Sequence, residues 1–366
     1  MNESYINNHY DFLLKNRERL KTDEKMVRGL LEDHLLYVPQ KLYKYRTCNR
    51  NNFSALKNEQ IYMPSAIDFK DPFDYTFNFD TKKQGAKFKE FFYDNLDKII
   101  FATIKDILPQ INAKKFTQSY IKNILDNYFL KDGTCLNKKF EEEVVSKGTV
   151  EERGAYKIIK GYVTNFLQEN SPNMESLAEK IVESIEEMSD SPRQNYLVYC
   201  LTEDKSSGPM WENYANNYQG FCVEYDFSDW KSKSFVDIKN LIFLLPVIYS
   251  KKKPSFNVDE FFELAVKKHF FKEDIGRNIE LDRELNKQLL RKQKDYDYEK
   301  EWRFSIKNEG CNLQPFPFVS AIYMGKDISQ QNIKHLKVVA KKLKIDLYQQ
   351  KLSTMKNRFR YEKVDL

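Results

Sequence analysis

Tyr196-Leu197-Val198-Tyr199-Cys200-Leu201-Thr202, followed after a break by Gly220-Phe221-Cys222-Val223-Glu224-Tyr225-Asp226, is where the chain changes period. Branched and aromatic residues crowd both short runs, which is the composition of β-strands. Leu241 to Tyr249 reads as a third strand, and Phe256 to about Lys294 returns to helix. Beyond it the tail alternates, with strands over 302–306 and 318–324, a helix over 329–343, and strands over 345–350 and 358–364. Upstream, apolar residues recur at helical spacing. Phe88 to Ile104, Phe116 to Tyr128, Tyr156 to Leu167 and Leu177 to Met188 form four such stripes, the last opened by Ser171-Pro172 as cap and first-turn proline. Nearer the start come a helix over 21–36, short extended pieces at 41–46 and 60–63, and an Asp71-Pro72-Phe73-Asp74 turn. Strands on both sides of a helical block, without regular βαβ alternation, predict an α+β fold with a mixed or antiparallel sheet core. The expected organisation is one composite domain over 1–366: an N-terminal helical segment 1–39, an α+β core from 40–85 and 190–366, and a helical insert 86–189.

The composition, 41% hydrophobic and 31% charged, suits a globular chain with a real core. No apolar run approaches the roughly 20 residues of a membrane helix. The longest candidate, Leu241 to Ile248, contains Pro246. The start, Met1-Asn2-Glu3-Ser4, carries no signal-like pattern, so a cytoplasmic protein without a membrane partner is expected. Five cysteines lie without a CxxC pair and are read as reduced, and none of the four histidines stands at metal-ligand spacing, so no zinc site is expected. The net charge of +6 comes from 60 basic and 54 acidic residues spread along the chain. That balance permits nucleic-acid contact but shows no basic, aromatic stripe to argue for it. No GxSxG, GxGxxG or GxxxxGK[ST] occurs, and 11 glycines leave little room for a glycine-built phosphate loop.

Four polar and aromatic blocks stand out. They are Leu42-Tyr43-Lys44-Tyr45-Arg46; Pro64 to Asp74; Met210-Trp211-Glu212-Asn213-Tyr214-Ala215 running to Gly220–Tyr225; and Tyr298-Glu299-Lys300-Glu301-Trp302-Arg303, followed by Ile322-Tyr323-Met324-Gly325. In this order they resemble the bacterial family DUF2971. The family often has histidine where this chain has Asn213 and Tyr218, so chemistry that needs an imidazole there is not expected.

An arginine ending one strand, a hydroxyl residue ending another and an E-x-E pair before a third are similar to the R-S-E class of ADP-ribosyltransferases. That class has a mixed α/β fold with NAD held between two small sheets. The resemblance implies NAD as a co-substrate and a catalytic set of Glu301, Glu299 and Arg46. Arg46 would grip a phosphate or ribose. Thr202 would support the nicotinamide pocket. Glu301 would bind ribose and stabilise charge at the anomeric carbon, as carboxylates do in glycosyl transfer, while Glu299 orients the acceptor. Tyr43, Tyr45, Trp211 and Tyr214 would supply ring surfaces, and Arg303 a further phosphate contact.

The same residues admit other readings. Glu299, Glu301 and Arg303 on alternate positions of one extended segment would put three charges on one face, where Arg46 pairs with a carboxylate to seal a sheet. Trp211 and Tyr214 also have core spacing. At the level of function, two rivals stand beside the transferase. One is a non-catalytic nucleic-acid or protein-binding module of a stress or phage-defence system. The other is a metal-dependent hydrolase or nuclease using Asp71, Asp74, Glu299 and Glu301.

Overall fold

The computed structural model describes residues 3–69, 71–77, 94–95, 97–98, 101, 117–128, 137–166, 192–251, 279–353 and 358–366. The chain divides into two compact units, one of residues 1–77, 190–254 and 279–366, the other of 78–189 and 255–278. In the second unit, helices Gln118–Tyr128, Lys138–Lys147 and Val150–Phe166 are described, and Ile121, Ile124, Leu125, Tyr156 and Ile159 are buried at the expected helical spacing. The stripes expected over 88–104 and 177–188 lie almost wholly outside the described residues.

The first unit is α+β. Its strands are β1 (Lys41–Arg46), β2 (Gln60–Tyr62), β3 (Tyr196–Thr202), β4 (Phe221–Asp226), β5 (Leu244–Pro246), β6 (Ile248–Ser250), β7 (Arg291–Gln293), β8 (Glu301–Lys307), β9 (Leu313–Pro315), β10 (Val319–Met324), β11 (Asp346–Ser353) and β12 (Arg358–Lys363). Eight of them form one mixed sheet, ordered β12-β11-β10-β4-β1-β3-β8-β5, in which only β10 and β11 run parallel. One face carries the helices Glu3–Lys15, Glu24–His34, Arg50–Lys57 and Gln330–Leu343, whose Leu13, Leu31, Leu56 and Leu336 join Leu42, Leu201 and Phe304 in the main core. Each such leucine contributes about 1.5–3 kcal/mol by leaving water. Asp23 and Ser329 accept from backbone amides three residues on, which explains where two of these helices begin. On the other face, helix Gly208–Tyr214 packs Met210 and Trp211 against Tyr43, Tyr45 and Cys222, while Ala66, Tyr75, Val198 and Leu289 form a separate small cluster.

The sheet opens in its middle. β1 stays paired with β4 from Lys41↔Asp226 to Arg46↔Phe221, but meets β3 only at Tyr43↔Thr202. Beyond that pair the two strands part, and a carbonyl on β3 loses its ladder partner. Lys44 Nζ takes that place, donating to the Cys200 carbonyl at 2.6 Å, since a buried carbonyl must find a donor.

Two expectations need correction. Leu241 to Tyr249 is not one strand: a 3-10 helix over Lys239–Phe243 gives way to β5, which pairs with β8, and β6 then changes partner to β7. The helix expected up to Lys294 ends at Leu289 and is followed by β7, paired in parallel with β6. Among the described residues, no helix is long and apolar enough to cross a membrane.

Candidate active site

Where β1 and β3 separate, a cavity of about 390 Å³ lies on the face that carries helix Gly208–Tyr214. That size is ordinary for a small-molecule site. Tyr43 and Tyr45 from β1 and Thr202 from β3 border it, joined by Asn213 and Tyr214 from the helix and by Tyr296, Tyr298 and Glu299 from a 3-10 helix, Lys294–Glu299. Asp68, Phe69, Asp71 and Asp74 close another side. Arg193 shapes that last wall by donating to the carbonyls of Ala66, Ile67, Phe69 and Pro72, and Asp71 accepts from the Phe73 amide to fix the turn read in the sequence.

Beneath the tyrosines lies a buried ionic network. Arg303 is fully buried; its Nη2 donates to both Asp74 oxygens at 2.8 Å, its Nε to Glu301 Oε1 at 2.8 Å and its Nη1 to the Leu289 carbonyl at 2.7 Å. Lys292 Nζ reaches Glu299 Oε2 at 2.6 Å and Glu301 Oε2 at 3.0 Å, with Asp74 Oδ2 at 3.7 Å. Tyr214 donates to Glu299 Oε1 at 2.8 Å, and the Tyr249 hydroxyl accepts from the Glu301 amide at 2.9 Å. Such a network persists because each buried charge has an opposite partner and its hydrogen bonds.

The E-x-E pair is not built as an alternating strand segment. Glu299 ends the 3-10 helix, Lys300 takes a left-handed turn at φ 44°, and Glu301 opens β8. The turn replaces strand alternation and still leaves both carboxylates on the one ammonium of Lys292. Their surroundings push them apart. Burial raises Glu301, but Arg303 and Lys292 outweigh it and hold its carboxyl well below the usual range. Burial raises Glu299 above the usual range, with Glu301 adding to the rise and Lys292 only partly offsetting it. Divergent carboxyl environments of this kind separate an ionised group from one able to exchange a proton. Lys44, also on the cavity wall, is drawn down to about 8, by burial first and then by neighbouring Arg46.

The residues singled out by sequence divide in two. Glu299, Glu301, Thr202, Tyr43, Tyr45 and Tyr214 all line the cavity, and Thr202 stands directly opposite Glu301 in the β3–β8 register. Arg46, Trp211 and Arg303 are not on its wall. Alternation along β1 sends Arg46 away from Tyr43 and Tyr45, and its guanidinium lies 5.0 Å from the centre of the Tyr199 ring. No carboxylate among the described residues ion-pairs with Arg46, so it does not seal the sheet by charge. Trp211 is fully buried, its indole N–H donating to the Lys205 carbonyl, so its ring is core and offers no free face to a ligand. Arg303 braces Asp74 and Glu301 from below.

Sequence reading missed Lys292, which fell at the end of a segment taken for helix, and Tyr296, and gave no role to Asp68 and Tyr298 although both stand in the quoted blocks. It weighed Asp71 and Asp74 only for metal binding. Among the described residues, no group of three or more His, Cys, Asp or Glu is placed to hold a metal ion.

Two glycines of the blocks have a local cause. A Cβ on Gly220 would stand 2.2 Å from the Arg46 carbonyl oxygen, and one on Gly325 would stand 2.1 Å from that of Tyr218. Between the helix and β4, Asn216, Asn217 and Tyr218 all have positive φ, and this tight reversal brings the Tyr218 carbonyl against Gly325, while Gly220 meets the backbone of Arg46 and Ala215.

The family model of DUF2971, a protein of unknown function, matches residues 210–304. The match bears out the family resemblance carried by the sequence blocks. It includes helix Gly208–Tyr214 from Met210 onward, Lys292, Glu299, Glu301 and Arg303, whereas the Leu42–Arg46, Pro64–Asp74 and Ile322–Gly325 blocks lie outside it. Comparison with curated proteins and with solved structures finds no match.

Proposed function

We propose that the cavity binds the nicotinamide–ribose end of NAD and breaks its N-glycosidic bond, as an ADP-ribosyltransferase-like enzyme or a glycohydrolase does. The observation that carries this reading is the pair Glu299 and Glu301, two buried carboxylates with opposite proton affinities facing one tyrosine-lined cavity. Five carboxylates and two lysines line that cavity, an excess of negative charge that favours a cationic ring such as the pyridinium of NAD. Tyrosine faces attract the same cation. About 390 Å³ gives room for the ring and ribose, leaving the rest of the dinucleotide outside.

In this reading Glu301, kept ionised, steadies the positive charge that develops at the anomeric carbon as the C–N bond breaks. Nicotinamide leaves neutral, taking the bonding electrons. An acceptor, water or a side chain, adds to the same carbon and gives its proton to Glu299, whose raised affinity makes it a fit base. Thr202, opposite Glu301, has a hydroxyl that accepts from the Asp204 amide at 3.1 Å and keeps its own proton to donate.

A second reading has an observation of its own. Arg303, wholly buried and shared by Asp74 and Glu301, would equally serve as a structural clamp between β8 and the 71–77 segment. Calorimetry separates the two. Native protein is expected to bind NAD more tightly than the reduced dinucleotide, whose ring is uncharged, and Glu301→Gln to weaken that binding while remaining folded. No heat of binding at millimolar NAD, with Glu301→Gln unfolding instead, supports the clamp and rejects the enzyme.

A further inference from the structure

We propose that Lys292 is a positioning residue of this cavity: its single ammonium, held between Glu299 and Glu301, aims both carboxylates at one point and decides which of them carries a proton. The inference rests on the N-glycosidic reading for its purpose, but its geometry stands by itself. Lys292 lies on β7 opposite Tyr249 of β6, and the Tyr249 hydroxyl receives the Glu301 amide. Its Nζ stands 4.9 Å from the centre of the Tyr296 ring, with the carboxylates of Glu299, Glu301 and Asp74 within 4 Å of it. Two of those carboxylates, Glu299 and Glu301, are within hydrogen-bond reach.

The two carboxylates depend on Lys292 unequally. Glu301 has a second cation, Arg303 at 2.8 Å. Among the described cations only Lys292 forms an ion pair with Glu299, which also accepts from the Tyr214 hydroxyl. Removing the ammonium therefore strips Glu299 of its one paired counter-charge while Glu301 keeps Arg303. The other groups facing the trio, Asp74 apart, keep their charge through the acidic range in which carboxyls titrate. Asp74 is tied to Arg303, the Cys200 thiol acts on Glu301 from β3, and Lys44 on β1 acts on both Glu299 and Glu301 from a distance. Tyr214, Tyr249 and Tyr298 are phenols that their surroundings hold neutral far above neutral pH. None of these phenols replaces a lost cation on Glu299, and Lys44 acts on it without an ion pair among the described contacts.

The test is a carbon-13 NMR titration of the glutamate carboxyls in the full chain, native against Lys292→Met and Lys292→Arg. In Lys292→Met the Glu299 titration is expected to move upward by about one pH unit or more, and that of Glu301 by less. Lys292→Arg is expected to restore both. An unchanged Glu299 titration in a folded Lys292→Met protein overturns the proposal. If that variant does not fold, nitrogen-15 spectra of native lysines decide: Lys292 must stay protonated after the exposed lysines have lost their protons, and titration alongside them overturns the assignment. Nicotinamide release from NAD is followed in the same samples. Titrations that move without any release uphold the role of Lys292 and sink the N-glycosidic reading, while release with unmoved titrations does the reverse.

Discussion

Acidifying the solution from pH 8 to pH 5 should loosen the N-terminal helices through one buried histidine. His34 is fully buried, its Nε2 donating to the Leu244 carbonyl at 3.0 Å, so its Nδ1 is left to accept from the Tyr5 hydroxyl at 3.1 Å. Its ring stacks on that of His9, 4.3 Å away, and His9 in turn donates to the Ile242 carbonyl at 2.7 Å. Burial, with His9 beside it, pulls His34 from its ordinary 6.5 to about 3. A depressed histidine contributes stability that is complete above the unfolded value, 6.5, and is lost as pH falls toward the folded one. At pH 5 the unfolded chain has taken up a proton that the folded chain refuses, which costs about 2 kcal/mol. His9, also lowered by burial, adds in the same direction. Glu299 is raised and works in the opposite sense, so the effect is read as a difference between two proteins. Urea midpoints at pH 8, 6.5 and 5 give it. Native protein should lose about 2 kcal/mol more than His34→Gln over that range, and equal losses in the two proteins would refute the reasoning.

Further outcomes follow from the same geometry. Arg303→Met should cost about 3–5 kcal/mol in urea unfolding, because Asp74 and Glu301 keep buried charge without their best partner. Gly325→Ala should destabilise by more than about 2 kcal/mol, since the added methyl meets backbone rather than a movable side chain. Tyr214→Phe should cost only about 1 kcal/mol, seen as a small shift in the urea midpoint, while raising the Glu299 titration, because it removes one hydrogen bond to that carboxylate.

How much of this was legible beforehand depends on which physical signal each feature left. β1, β3, β4, β8 and β10 were readable because sheet strands crowded with Val, Ile, Tyr and Phe look like nothing else locally. The stripe that Tyr156 and Ile159 begin was readable because amphipathic period survives any tertiary arrangement. Leu241 to Tyr249 misled because its apolar composition hides that the run opens in a 3-10 helix and then changes partner from β8 to β7. At the site, Glu299, Glu301 and Thr202 were named from their order in the chain. Lys292 could not be, since only the parallel pairing of β6 with β7 carries it to the carboxylates. Arg46 and Trp211 show the converse. Their residue types suit a ligand, but strand alternation and helix packing turn them elsewhere.

The most direct test of the central claim is nicotinamide released from NAD, measured by chromatography with native protein and with Glu301→Gln at equal folded concentration. The account predicts release by the native protein and a loss of about a hundredfold or more in the variant. Equal rates in the two, or no release by folded native protein at millimolar NAD, would contradict it.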